Sequence, residues 1–271
     1  MDITAETRAM QENDFVTISE VADWRLSDEA FLRAFQLPAK TGRGPLADAN
    51  PFPRETRVSF DEKSHKYTID GEVCPRSVTG LLRAYINVFD APRFLAIMRE
   101  SPGWEQRRLQ LEARGVNPNS DTDIEAHWKF EGEVARTRGT LLHFHAEQAA
   151  NFRRVELPHS PEFSQVLQLL CEFANRGWTI YRAELNIFHC GLRCAGQPDL
   201  LLKDTQGRLV IVDWKRIPKI SFENCHSALN YPFQHLANSS YWTYALQLNL
   251  YRSYHSRACL DFMVGSAPIG L

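Results

Sequence analysis

Two apolar runs, each ending beside an acidic residue, constrain this chain most: Ala195-Gly196-Gln197-Pro198-Asp199-Leu200-Leu201-Leu202 and Leu209-Val210-Ile211-Val212-Asp213-Trp214-Lys215. Short continuous aliphatic runs bounded by turn residues suit strands covered on both faces. Between them, Asp204-Thr205-Gln206-Gly207 places Asp and Gly at the first and last positions of a type I turn, so the second run folds back antiparallel on the first. Residues two apart on a strand share a face, so Asp213 and Lys215 project together while Trp214 points the other way. The register can then set Asp199 beside Asp213. Two such carboxylates repel unless a cation lies between them, and oxygen-rich ligation with room for water suits Mg²⁺ or Mn²⁺. The expected site therefore has Asp199 and Asp213 as ligands and catalytic acids, and the Trp214 carbonyl as a further ligand. Lys215 orients or helps deprotonate an attacking water, the chemistry of phosphodiester cleavage. An Asp-x-Lys triplet alone is equally a surface ion pair; the Gly-x-Pro-Asp stretch, the turn and the apolar run set this one apart.

The rest of the chain organises around that pair. Residues 1–54 are polar, hold one amphipathic patch around Phe31 and Phe35, and end in Pro45, Pro51 and Pro53, reading as an arm or small appendage to a domain over 55–271. A hairpin is expected over 58–71 with Asp70-Gly71 as its turn, then a helix capped by Ser77 or Thr79. Residues 101–133, charged and interrupted by Gly103, Gly115 and Pro118, read as a surface insertion of irregular helices. Helices are expected over 132–153, 161–175 and 239–255, and strands over 178–188, 192–203, 209–215 and 259–264. That order predicts an α/β domain with a mixed central sheet flanked by helices.

Four elements in order, Gly139 to His143, Glu184, Pro198-Asp199 with Asp213-Trp214-Lys215, and Gln247 to Tyr251, resemble the PD-(D/E)XK nuclease superfamily, and within it the RecB-like exonuclease branch. The chain is similar to the group that holds the mitochondrial genome maintenance exonuclease and viral relatives. The resemblance implies a restriction-endonuclease-like core, metal-dependent hydrolysis of single-stranded or end-bearing DNA, and 5′-phosphate products. It makes His143 a third metal ligand and Glu147, four residues on and on the same helix face, a partner that fixes its tautomer. His145 points elsewhere. Glu184 is either a ligand and catalytic acid or a structural acid. Gln247 and Tyr251 support the site and touch the nucleic-acid backbone.

Arg138 and Arg216 are expected to bind substrate phosphates, in a basic track that also holds Arg136, Arg153, Arg154 and Lys219. Trp128, Phe144, Trp214, Tyr241 and Trp242 are candidate base-stacking aromatics, each also a candidate core residue. Two other readings stay open: an RNA endonuclease with the same His, Asp, Asp, Lys arrangement, and a nuclease fold used only to grip nucleic acid. With a formal net charge of −2, the whole-molecule field does not announce a nucleic-acid binder, so phosphate contact must be local. Six cysteines without a CxxC pair, Cys190 and Cys194 among them, suggest buried thiols in a reducing compartment, nucleus or cytoplasm. Asp2 and Glu6 among few arginines argue against a mitochondrial presequence, and no targeting signal is recognised. No apolar run approaches the roughly 18 residues of a membrane span. Fused or associated domains are expected to set the substrate if the chain is part of a longer protein.

Overall fold

A computed structural model describes residues 24–35, 44–61, 64–153, 155, 160–224 and 226–256. It is a mixed α/β structure of helices and several small sheets. In chain order, α1 (Asp28–Ala34) and α2 (Pro45–Ala49) lead through a 3₁₀ turn at Pro53–Arg57 into β1 (Val58–Asp61), β2 (Lys66–Ile69), β3 (Glu72–Val73) and β4 (Arg76–Ser77). Helices α3 (Val78–Leu82), α4 (Ala91–Glu100), α5 (Trp104–Ala113), α6 (Asp121–Ala150) and α7 (Pro161–Asn175) follow. Strands β5 (Thr179–Ala183), β6 (Ile187–His189), β7 (Cys194–Gly196), β8 (Leu200–Lys203) and β9 (Leu209–Val212) precede α8 (Ser240–Ser256).

The strands do not form one central mixed sheet. They fall into three three-stranded sheets, β1-β2-β3, β4-β7-β6 and β5-β8-β9; the last is antiparallel throughout, and the parallel pairing is that of β4 with β7. The cause is a bend in one long hairpin. The runs expected at 178–188 and 192–203 each break in two, at 184–186 and 197–199, yet Ala183 still pairs with Leu200 and Ile187 with Gly196. Three residues are skipped on both sides, so the register survives while the pairing turns a corner. Pro198 has no N–H to give a ladder, and Glu184 takes a left-handed backbone with φ of 50°.

The run Leu200-Leu201-Leu202 is apolar on both faces because both are covered. Leu200 and Leu202 pack with Leu142 and Ala146 of α6 and Phe163 and Val166 of α7; Leu201 packs with Val78 and Leu82 of α3 and Tyr251 and Tyr254 of α8. The β5-β8-β9 sheet is thus the middle of three layers.

Several local expectations hold. Asp204 to Gly207 closes the β8–β9 hairpin: Gly207 donates to the Asp204 carbonyl at 3.0 Å, and Asp204 Oδ1 accepts from the N–H groups of Gln206 and Arg208. Ser77 caps α3, its hydroxyl accepting from the Gly80 N–H at 3.0 Å. Others change. Asp70-Gly71, both at positive φ, joins β2 to β3 rather than β1 to β2. The site helix begins at Asp121, eleven residues earlier than its apolar periodicity suggests, because Ser120 caps it and Asp121 and Asp123 favour its N-terminus. The end of the expected insertion is therefore the first turns of α6, and its first part, α5, packs with α4 and α6 on a satellite core of Leu95, Met98, Leu111 and Ile124. The described part of the expected arm is tied to the body: Phe31 is fully buried against Leu141 and Phe144. The strand expected over 259–264 lies outside the described residues.

Candidate metal centre

The bend sets the site. Within it Glu184 lies opposite Asp199, donating its N–H to the Asp199 carbonyl at 3.0 Å, and the Gln197 amide donates to the Glu184 carbonyl at 2.8 Å. One step beyond the last β8–β9 pair, Leu200 with Val212, the same register puts Asp199 across from Asp213. From the α6 side, His143 Nδ1 shares a hydrogen bond with Asp199 Oδ1 at 3.1 Å. His143, Glu184 and Asp199 each bring a ligand atom to within 4.8 Å of the others. One imidazole nitrogen and two carboxylates form a donor set that could hold a divalent metal ion.

The triad holds two of the expected ligands, His143 and Asp199. Glu184, left open between ligand and structural acid, belongs to the cluster. Asp213 stands beside it, its carboxylate engaged by Lys215 Nζ and by the Gln247 amide at 3.1 Å. Trp214 donates its N–H to Asp199 Oδ2 at 2.5 Å, and its indole is buried in the core with Leu142 and Phe173. The donor count at Asp199 explains its orientation: His143 takes one oxygen and the Trp214 N–H the other.

Electrostatics in the cluster run in one direction. Burial pushes the Asp213 carboxyl up to about 6, with Asp199 adding to the push and Lys215 opposing it. Burial works to lower the His143 pKa, but the Asp199 charge and hydrogen bond override it and hold the imidazole above its ordinary value. Lys215 follows the same pattern, with Asp213 and Asp199 outweighing burial and keeping the ammonium charged. Tyr251, raised well above the ordinary phenol by burial and by Asp213, stays neutral.

All these groups open onto one cleft of about 580 Å³, which Glu147 also lines, one helical turn from His143. Asp199 occupies the Nδ1 side of His143. Gln247 and Tyr251 are buried and turned to support: the Gln247 amide also donates to the Tyr251 hydroxyl at 3.1 Å, which reaches the Gln197 carbonyl at 3.4 Å. Both also line the cleft.

Two expected phosphate ligands are engaged elsewhere. Arg138 points to the N-terminal segment, donating to Asp28 Oδ1 at 2.9 Å and the Trp24 carbonyl at 2.8 Å, with its guanidinium 4.3 Å from the Phe31 ring centre. Arg216 is paired with Glu162 at 2.9 Å. Arg153 bonds Gln148 at 3.2 Å, and Arg154 lies outside the described residues. Among the candidate stackers, Phe144 and Trp214 are core, and Trp128 packs with Phe89 and Phe94 on the α4 side. Tyr241 and Trp242 are half-buried and in contact with each other, and Tyr241 also meets Phe222. His145 is buried against Phe163, as its position off the His143 face predicts.

Sequence reasoning missed another part of the cleft wall, formed by Phe60 and Tyr67 of the first sheet and by His65 in the turn before β2. Nothing local in β1 and β2 signals a site there; only the packing of that sheet beside β7 brings it to the cleft. Cys74, Cys171, Cys190 and Cys194 are free thiols, and no helix among the described residues is long and apolar enough to cross a membrane. No protein-family model, curated protein or solved structure matches this chain.

Proposed function

We propose that this chain is a Mg²⁺- or Mn²⁺-dependent deoxyribonuclease with a restriction-endonuclease-like core, acting on single-stranded or end-bearing DNA. The observation that carries the reading is the convergence of His143, Glu184 and Asp199 within 4.8 Å at the hairpin bend, with Lys215 beside them through Asp213. A cation held by those three residues would stabilise charge on a phosphate and lower the pKa of bound water. The chain's own groups divide the remaining work. Asp199 orients His143, and Gln247 with Tyr251 holds Asp213, which in turn holds Lys215 at the cleft. Lys215, held at the cleft by Asp213, serves as a donor and positive charge that orients water and phosphate oxygens. The Gln247–Tyr251 helix in contact with Asp213 favours DNA over RNA, on the resemblance of that motif to the DNA-processing branch.

The test is a time course on end-labelled single- and double-stranded DNA and matched RNA with Mg²⁺, Mn²⁺ or chelator. Cleavage of DNA that chelator abolishes is expected. Asp213→Ala and Lys215→Ala should fold and lose about 100-fold or more of the rate. Full activity in either variant, or binding without cleavage in Mn²⁺, overturns the reading.

A further inference from the structure

The face of α6 that carries His143 also carries Arg136 and Thr140, seven and three residues earlier, and all three line the main cleft. A second depression of about 490 Å³, bounded by Ile217 and Tyr244, meets that cleft along a seam formed by Arg136, Thr140, His143 and Lys215. A strand running from the triad into the second depression crosses this seam.

The cations near the seam are unequally available. Arg138 and Arg216 are paired with Asp28 and Glu162, and Lys215 is paired with Asp213. Thr140 spends its hydroxyl proton on the Arg136 carbonyl at 3.1 Å. Arg136 is different: its side chain is 71% exposed, and its ion-pair contact, with Glu133, is at 4.0 Å. That separation is too long for a hydrogen bond.

We infer that Arg136 is a substrate-binding residue that grips a backbone phosphate of the polynucleotide next to the one at the metal centre, resting on the nuclease reading above. A guanidinium presents a planar fork that matches two phosphate oxygens, and an exposed one gains more from a phosphate than one already committed to a carboxylate. It gives positive charge at the seam of a molecule whose formal net charge is −2.

The experiment uses the full chain with a fluorescein-labelled single-stranded oligodeoxynucleotide in Mn²⁺, measuring kcat and KM at several NaCl concentrations for wild type, Arg136→Gln and Arg136→Lys. Arg136→Gln should raise KM about tenfold, leave kcat within about threefold, and flatten the slope of log KM against log salt by about 0.7, the value of one phosphate contact on a single strand. Arg136→Lys should recover the slope and part of the KM. Equal melting temperatures establish that both variants fold. Wild-type cleavage with unchanged KM and slope in Arg136→Gln overturns the inference and leaves the nuclease reading standing. Absence of cleavage by the wild type in every metal removes both.

Discussion

At the scale of single residues, the site is a set of groups that hold protons more tightly than they would in an unfolded chain. Asp213 is raised to about 6 and His143 lies above its ordinary value. For both, the stabilisation is complete below the unfolded pKa and is lost as pH rises through the folded one. The window for Asp213 runs from about 3.8 to about 6, and that for His143 lies above 6.5. Divalent metal competes with those protons. We therefore expect Mn²⁺ to raise the melting temperature of metal-stripped protein more at pH 7.5 than at pH 5.5. In His143→Ala the Mn²⁺ shift should shrink more than oligonucleotide affinity does. Calorimetric scans at the two pH values decide it, and equal Mn²⁺ shifts in wild type would count against ligation by this cluster. The pairing of Asp213 with Lys215 is legible from their spacing, whereas the approach of Glu184 to His143 and Asp199 is not, because it depends on where the bend points.

At the scale of elements, the bent hairpin is the device that makes the site. A straight antiparallel pair would keep Glu184 and Asp199 in the ladder; the skipped residues on both sides release them toward α6. Gly196, at the start of the break, is where α3 and α8 close on the strand: a Cβ there would lie 2.6 Å from Tyr251 Cε1 and 2.9 Å from Val78 Cγ2. Gly196→Ala should cost about 1–3 kcal/mol as overpacking, a fall of roughly 3–10 °C in melting temperature for a chain this long. Because the ring it pushes also carries the hydroxyl that Gln247 bonds, Mn²⁺ affinity should fall with it. A variant as stable as wild type would show that the strand, α3 and α8 are not in close contact at this point. The turn at 204–207, the Ser77 cap and the α7 and α8 helices were readable from local chemistry. The break itself was signalled only by Pro198, since no sequence rule marks Glu184 for a left-handed backbone.

At the scale of the molecule, the N-terminal segment is joined to the sheet by a buried ion pair. Arg182 of β5, 2% exposed, bonds both carboxylate oxygens of Glu55 at 2.7 Å and the Asn50 carbonyl at 2.9 Å. Breaking a buried pair by removing one partner costs about 3–5 kcal/mol, and Glu55, with 22% exposure, places Arg182→Met near the lower end. Denaturant unfolding measures that loss. The double variant Arg182→Met with Glu55→Leu should recover most of it, since two apolar groups leave no uncompensated charge. Equal losses in the single and double variants would show that Arg182 acts through Asn50 instead.

The sequence by itself determined the α/β class, the β8–β9 hairpin with Asp199 and Asp213 across its open end, and the helix faces that carry His143 and Gln247, because turn chemistry and side-chain periodicity act over a few residues. Only the tertiary structure decided which acids meet the imidazole, which arginines are free for phosphate, and that the sheet is divided in three. Those outcomes depend on contacts between segments far apart in the chain, such as Arg138 with Asp28, Arg182 with Glu55 and His143 with Asp199. A side chain's partners at that range are set by packing, and packing leaves no local periodic trace.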